Sequence, residues 1–249
     1  MIVLLSLAIA ALLYGWGFAR VRRAHRPFPP SAVLAFALAL AALVIALFGP
    51  IDERATSSLT WHMVQHLILI GVVAPLLLLA AAPRLALAAL PSGRAGALAA
   101  ILRSPPARVL GHPAVAWLQF AAVLYATHFS PLYEAALEHE PVHAALHALY
   151  LGSALIFWAP LLAVAPAPHA PSHPVRLLAI FLAIPMSAFL GFALYVSQHV
   201  LYAHYAARPG ALDDQAAAGA TMWILGGAPL FIVLLWCVAD WGARERRLA

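Results

Sequence analysis

Two stretches of this sequence place a pair of histidines four residues apart. Trp61-His62-Met63-Val64-Gln65-His66 does so, and Glu140-Pro141-Val142-His143-Ala144-Ala145-Leu146-His147 repeats it. Residues at i and i+4 share one helix face and differ in height by about 6 Å. Each pair therefore turns two imidazoles the same way, with Met63 on the edge of the first arc. Imidazoles carried to one level by facing helices make a metal site in a bundle, and imidazole suits copper, zinc, iron and nickel. His128 and His199 end two further apolar segments, so four helices can offer imidazoles to one layer. The single cysteine, Cys237, leaves histidine and methionine as donors for a soft ion, and the thioethers of Met63 and Met222 favour Cu(I). The alternative is a water-activating zinc site, which needs an open coordination position and a base; Glu140, three residues before His143, is the candidate base. A plainer alternative has the histidines bonding Glu134, Glu138 and Glu140 to tie down outer loops, with both methionines as core filler.

Both pairs open long apolar runs, and composition says what those runs are. Of 249 residues, 65% are hydrophobic and 9% charged, with a mean hydropathy of +0.92. A soluble globule is about half apolar and a quarter charged, so this chain cannot cover itself with a water-facing surface. The sequence predicts an all-α, polytopic membrane helix bundle, one domain over residues 1–249. Seven segments supply the roughly 20 apolar residues a crossing needs: 2–19, 31–49, 59–81, 113–129, 142–165, 175–199 and 216–239. All fourteen cationic residues are arginine, and only Arg54 and Arg208 lie outside one alternating set of connections. The positive-inside rule then puts the N-terminus outside and the C-terminus in the cytoplasm. Seven of the nine acids fall on the outer side. The pI near 9.9 is thus a topology signal; the partner it implies is the lipid bilayer and not a nucleic acid.

In this topology His62, His66, His128, His139, His143, His147, His199 and His204 are at the outer face, and His25, His112, His169 and His173 are cytoplasmic. The first segment has its arginines after it, the reverse of a cleavable signal peptide, and reads as a retained helix. Residues 94–103 read either as a short interfacial helix or as a solvated loop. His169 and His173, in the Pro-rich stretch 165–174, read as loop residues without a metal role. Pro75, Pro185 and Pro229 fall inside spans and can kink them.

The stretch Trp61-His62-Met63-Val64-Gln65-His66-Leu67-Ile68-Leu69, running on to Ala74-Pro75-Leu76-Leu77, resembles a signature of the multi-spanning CtaG family of cytochrome c oxidase assembly proteins. So does His128-Phe129-Ser130-Pro131-Leu132-Tyr133-Glu134, followed by His143, His147 and Phe157-Trp158-Ala159-Pro160. A third block, Asp213-Asp214-Gln215-Ala216 to Ala218-Gly219-Ala220-Thr221-Met222-Trp223, is also similar. The likeness covers the third span to the seventh. It is to the multi-spanning type, not to the single-span, cysteine-bearing protein that shares the CtaG name. It implies a non-enzymatic factor of the bacterial inner membrane that handles copper for the binuclear centre of a haem-copper oxidase. It also implies that His62, His66, His128, His143 and His147 handle the metal. Asp214, Gln215, Met222 and Trp223 would form a supporting patch, with Glu140 and His199 beside them. The catalytic subunit of the oxidase, and an extracytoplasmic copper donor, are the partners it implies. A site shared between two copies of the chain would carry the same residues, so a homodimer stays open.

Three other classes compete on the residues alone. A zinc-dependent membrane hydrolase would need Glu140 as base and a substrate cavity, and no Ser/Asp set joins the histidines at their depth. A bis-histidine cytochrome would want a second histidine level on the cytoplasmic side, where only His112 approaches a span. A channel would want charge at mid-depth, and no span carries any.

Overall fold

The computed structural model describes residues 2–164 and 171–248, and among these there is no strand. In chain order the helices are α1 (Ile2–Arg23), α2 (Pro30–Leu47), α3 (Pro50–Ala55), α4 (Leu59–Ile68), α5 (Ala74–Leu79), α6 (Ala82–Ala89) and α7 (Ser92–Leu102). They continue as α8 (Pro105–Leu110), α9 (Pro113–His128), α10 (Pro131–Glu138), α11 (Glu140–Leu162), α12 (His173–Val196), α13 (Ala203–Ala206) and α14 (Ala211–Leu248). Many large apolar side chains are exposed, among them Leu12, Phe181, Phe189, Ile224 and Ile232. The polar side chains His62, Gln65, His66, His128 and Gln215 are buried instead. Burial of this sense suits a surface that meets hydrocarbon and an interior that satisfies its own polar groups.

Among the described residues, six helices are long and apolar enough to cross a membrane: Val3–Arg23, Pro30–Ala55, Leu59–Ala89, Glu140–Leu162, His173–Val196 and Ala211–Arg247. The expected span at 113–129 is helical, but α9 has 16 residues and a rise of about 24 Å, short of a hydrocarbon core of about 30 Å. It packs along α11, where Phe120 stacks on Phe157 at 4.5 Å between ring centroids and Ser153 Oγ donates to Gln119 Oε1 at 3.0 Å. At 175–199 the helix stops at Val196, which leaves His199 in the following loop. Around 94–103 the chain forms α7, with no buried side chain. His173 opens α12 and bonds Asp240 at 2.9 Å, so it is a helix residue; His169 lies outside the described residues.

Proline marks the break in the third crossing. Pro75 has no N–H to return to the preceding turn, and the chain passes through a π-helical turn, Leu69–Val73, between α4 and α5. The Ile70 carbonyl accepts instead from Trp158 Nε1 at 2.8 Å. At the same level a Cβ on Gly71 would sit 2.9 Å from Pro229 Cγ, so glycine lets the two proline-bearing helices touch. The closest packing joins α12 to α14. A Cβ on Gly191 would meet the Gly219 carbonyl oxygen at 2.6 Å, and one on Gly219 would meet the Gly191 oxygen at 2.5 Å. Small residues permit this backbone contact where apolar burial drives no association. Helix α2 uses alanine likewise, burying Ala32, Ala35, Ala39 and Ala46.

Candidate metal centre

Helix α4 owes its start to a residue 155 positions away. Ser58 is its N-cap, and its Oγ accepts from Trp61 N. The Asp214 carboxylate from α14 accepts from Leu59 N at 2.6 Å and Ser58 Oγ at 2.8 Å, with Thr60 N at 3.4 Å. An acid at the first turn satisfies otherwise unpaired N–H groups and suits the helix dipole. Beside it Gln215 Oε1 accepts from Leu201 N at 2.7 Å and its Nε2 donates to the His199 carbonyl at 2.9 Å. These two side chains fix the start of α4, the loop after α12 and the start of α14 relative to one another.

From that anchored start α4 presents His62 and His66, and α11 presents His143 and His147. The helical pairs face each other. One ligand-type nitrogen from each of the four lies within 4.8 Å of the other three. Ring centroids are 4.4 Å apart for His62 and His66, 4.2 Å for His143 and His147, and 5.0 Å for His62 and His143. A tetrahedral centre with metal–nitrogen bonds of about 2.0–2.1 Å sets its nitrogens about 3.3–3.4 Å apart, so small side-chain adjustments would bring the four to ligating distance. No carboxylate or thiol joins the four among the described residues. His62 and His66 are buried, His143 and His147 half-buried.

Hydrogen bonds orient these rings. Tyr205 Oη donates to the Ala55 carbonyl at 2.8 Å, so its oxygen must accept from His62 Nδ1, 3.0 Å away. That leaves His62 Nε2 bare and facing His66 Nε2 at 3.1 Å. A ligating histidine with its second nitrogen bonded outward is the usual arrangement at metal sites. Meanwhile His66 Nδ1, His143 Nε2 and His147 Nε2 are buried without a hydrogen-bond partner. Orphaned nitrogens in an apolar setting cost free energy, and an ion bound between the rings would satisfy those that ligate it. The Tyr133 ring packs against both His62 and His66. Burial pushes the hydroxyls of Tyr133, Tyr202 and Tyr205 above the ordinary tyrosine range, so all three stay neutral around the histidines.

The remaining expected residues separate. His128 is buried near the four but outside their group; its Nδ1 donates to the Leu124 carbonyl at 2.7 Å. Met63 and Met222 are buried and line a cavity with His66 and His128. Glu140 is exposed on the first turn of α11, His199 is exposed, and Trp223 is about half exposed, with its ring edge-to-face against Phe192. None of the clustered imidazoles bonds Glu134, Glu138 or Glu140; Glu134 Oε1 accepts from the His204 backbone N–H at 2.7 Å. His112 is exposed at the start of α9. Sequence reasoning passed over Tyr205, Tyr133 and Met186. Tyr205 lies in a four-residue helix, α13, whose position no local pattern announces.

The sequence profile described as cytochrome c oxidase caa3 assembly factor (Caa3_CtaG) matches residues 12–244. Among curated proteins, an uncharacterized protein of Mycobacterium bovis is 29% identical over 97% of this chain and 38% of its own length. One of Mycobacterium tuberculosis has the same values, and one of Mycobacterium leprae is 27% identical over 95% of the chain and 38% of its own length. The chain thus spans well under half the length of these relatives. No solved structure matches it.

Proposed function

The chain belongs to the cytochrome c oxidase caa3 assembly factor family, and from that premise we propose that it holds copper as cargo at the four-histidine centre and assists its delivery to the catalytic subunit of a haem-copper oxidase. The observation that carries this reading is the convergence of four imidazoles, two with bare buried Nε2 atoms, on one point between α4 and α11. Imidazole binds both copper and zinc; the family's connection to a copper oxidase selects copper. The role is non-catalytic: Glu140, the residue a zinc hydrolase would use as base, is exposed and apart from the converged nitrogens.

In this reading the protein is one multi-pass domain of the bacterial cell membrane. Helix α9 is the seventh crossing, completed by the short turns at its ends, with α1 starting outside and α14 ending in the cytoplasm. The arginine asymmetry supports that orientation. In that orientation the histidine centre lies at the outer face, open to a copper donor there.

The test is anaerobic Cu(I) loading of the detergent-purified chain, with metal counted per chain, for wild type and His143→Ala/His147→Ala. Copper bound by wild type, with less metal retained per chain by the double variant, is the expected result. In a strain lacking the gene, the wild type should restore a copper-replete oxidase and the double variant should not. Zinc held in preference to copper, or copper binding indifferent to both substitutions, would overturn the reading.

A further inference from the structure

A second group of ligand-type atoms lies behind the first. Between α4, α9, α12 and α14 is a cavity of about 40 Å³, lined by Met63, Met186, Met222, His66 and His128 among apolar walls. A cavity needs about 10–15 Å³ to hold a water molecule, so this one has room for a small ion. Four elements bring one donor each: Met63 from α4, His128 from α9, Met186 from α12 and Met222 from α14. These are three of the chain's four methionines, gathered where leucine or alanine would fill space as well.

The histidine here is set up as a ligand. His128 Nδ1 donates to the Leu124 carbonyl, which fixes the proton on that nitrogen and leaves Nε2 with a free lone pair. Nε2 is buried and has no hydrogen-bond partner, and the residue is 5% exposed. Tyr150 does not compete for it: Tyr150 Oη lies 2.7 Å from Thr127 Oγ1, whose own proton goes to the Val123 carbonyl at 2.8 Å. The result is a histidine with one bare, buried nitrogen and three methionines lining one cavity. Thioethers are soft, neutral donors that select Cu(I)-like ions over zinc. A neutral donor set holding a monovalent cation also places the least charge inside the bundle.

We propose that this cavity is a second metal site, distinct from the four-histidine centre and softer than it, which takes a monovalent ion of the Cu(I) class. His66 belongs to both: its Nε2 faces His62, and its ring lines the cavity. The two sites are neighbouring stations, each with room for its own ion, the histidine station nearer the surface and the methionine station enclosed. The identity of the physiological ion rests on the copper reading above; the site itself rests on its donors.

The test titrates the full-length, detergent-solubilised chain with Cu(I), and separately with Ag(I), under anaerobic conditions. It counts bound metal and measures metal–sulfur scattering by X-ray absorption. Wild type should bind two ions per chain with sulfur in the average shell. Met63→Leu/Met186→Leu/Met222→Leu, nearly volume-conserving changes, should bind one ion and lose the sulfur signal. His143→Ala/His147→Ala should bind one and keep it. A wild-type spectrum without sulfur, or a triple variant unchanged in stoichiometry, overturns the second site and returns the methionines to gap filling, while leaving the histidine centre standing. Loss confined to the triple variant overturns the histidine centre and keeps the cavity. The wild-type spectrum decides the matter even if the triple variant does not fold.

Discussion

Tyr205 orients a histidine of the cluster without joining the cluster itself. Its hydroxyl spends its proton on the Ala55 carbonyl and so can only accept from His62 Nδ1. That single constraint chooses the tautomer that frees Nε2. Phenylalanine at this position keeps the ring and removes the choice. Tyr205→Phe should therefore weaken metal binding by about 10- to 100-fold, the usual loss when a ligand's outer partner is removed, with folding unchanged; competition titration against a Cu(I) chelator reads it. The i, i+4 spacing of His62/His66 and His143/His147 was legible because local helical geometry alone determines which side chains share a face. The separation of His128 from the four was not. His128 ends its own helix, and its ring is turned by a bond to Leu124 O one turn back, which spacing between helices cannot reveal. Met186 was invisible for a related reason: it becomes a candidate donor only when α12 is known to lie beside α4 and α9.

Among the elements, the apolar runs were readable because each must bury or expose a continuous length against hydrocarbon, and their approximate bounds follow from that length. Their ends were less so. Helix α12 stops at Val196 where 199 was expected, since Gln215 draws the next segment away through Leu201 N and the His199 carbonyl. The capping of α4 by Asp214 is likewise a contact between distant parts of the sequence. The α12–α14 seam makes a sharp prediction. Gly191→Ala places a methyl group 2.6 Å from a carbonyl oxygen and 2.8 Å from the Trp223 amide nitrogen, and both neighbours are backbone that cannot step aside. Overpacking of this kind costs about 1–3 kcal/mol. The variant should show a lower midpoint in thermal or denaturant unfolding in detergent, whereas Gly152→Ala, with open space around it, should not.

At the scale of the whole molecule, orientation is the property most exposed to test. If the arginine-rich connections face the cytoplasm, a fluorescent protein fused after residue 248 should glow in cells, and an exported-phosphatase fusion there should be inactive. A cysteine placed in the loop at 139 should react with a membrane-impermeant maleimide added to intact cells, and one placed at 104 should not. The reverse pattern would turn the bundle over and move the histidine centre to the cytoplasmic side. The centre itself is asymmetric. His62 and His66 are sealed inside the bundle, while His143 and His147 are only half covered. If the centre holds copper as proposed, the buried pair would be the lasting ligands and the half-covered pair the exchangeable ones. An acceptor bringing donors of its own would then gain access over α11, substituting for the two half-covered rings one at a time while the inner pair kept hold. Under that proposal the ion would change owners without passing through water, and the direction of transfer would be set by whichever side offered the stronger second pair.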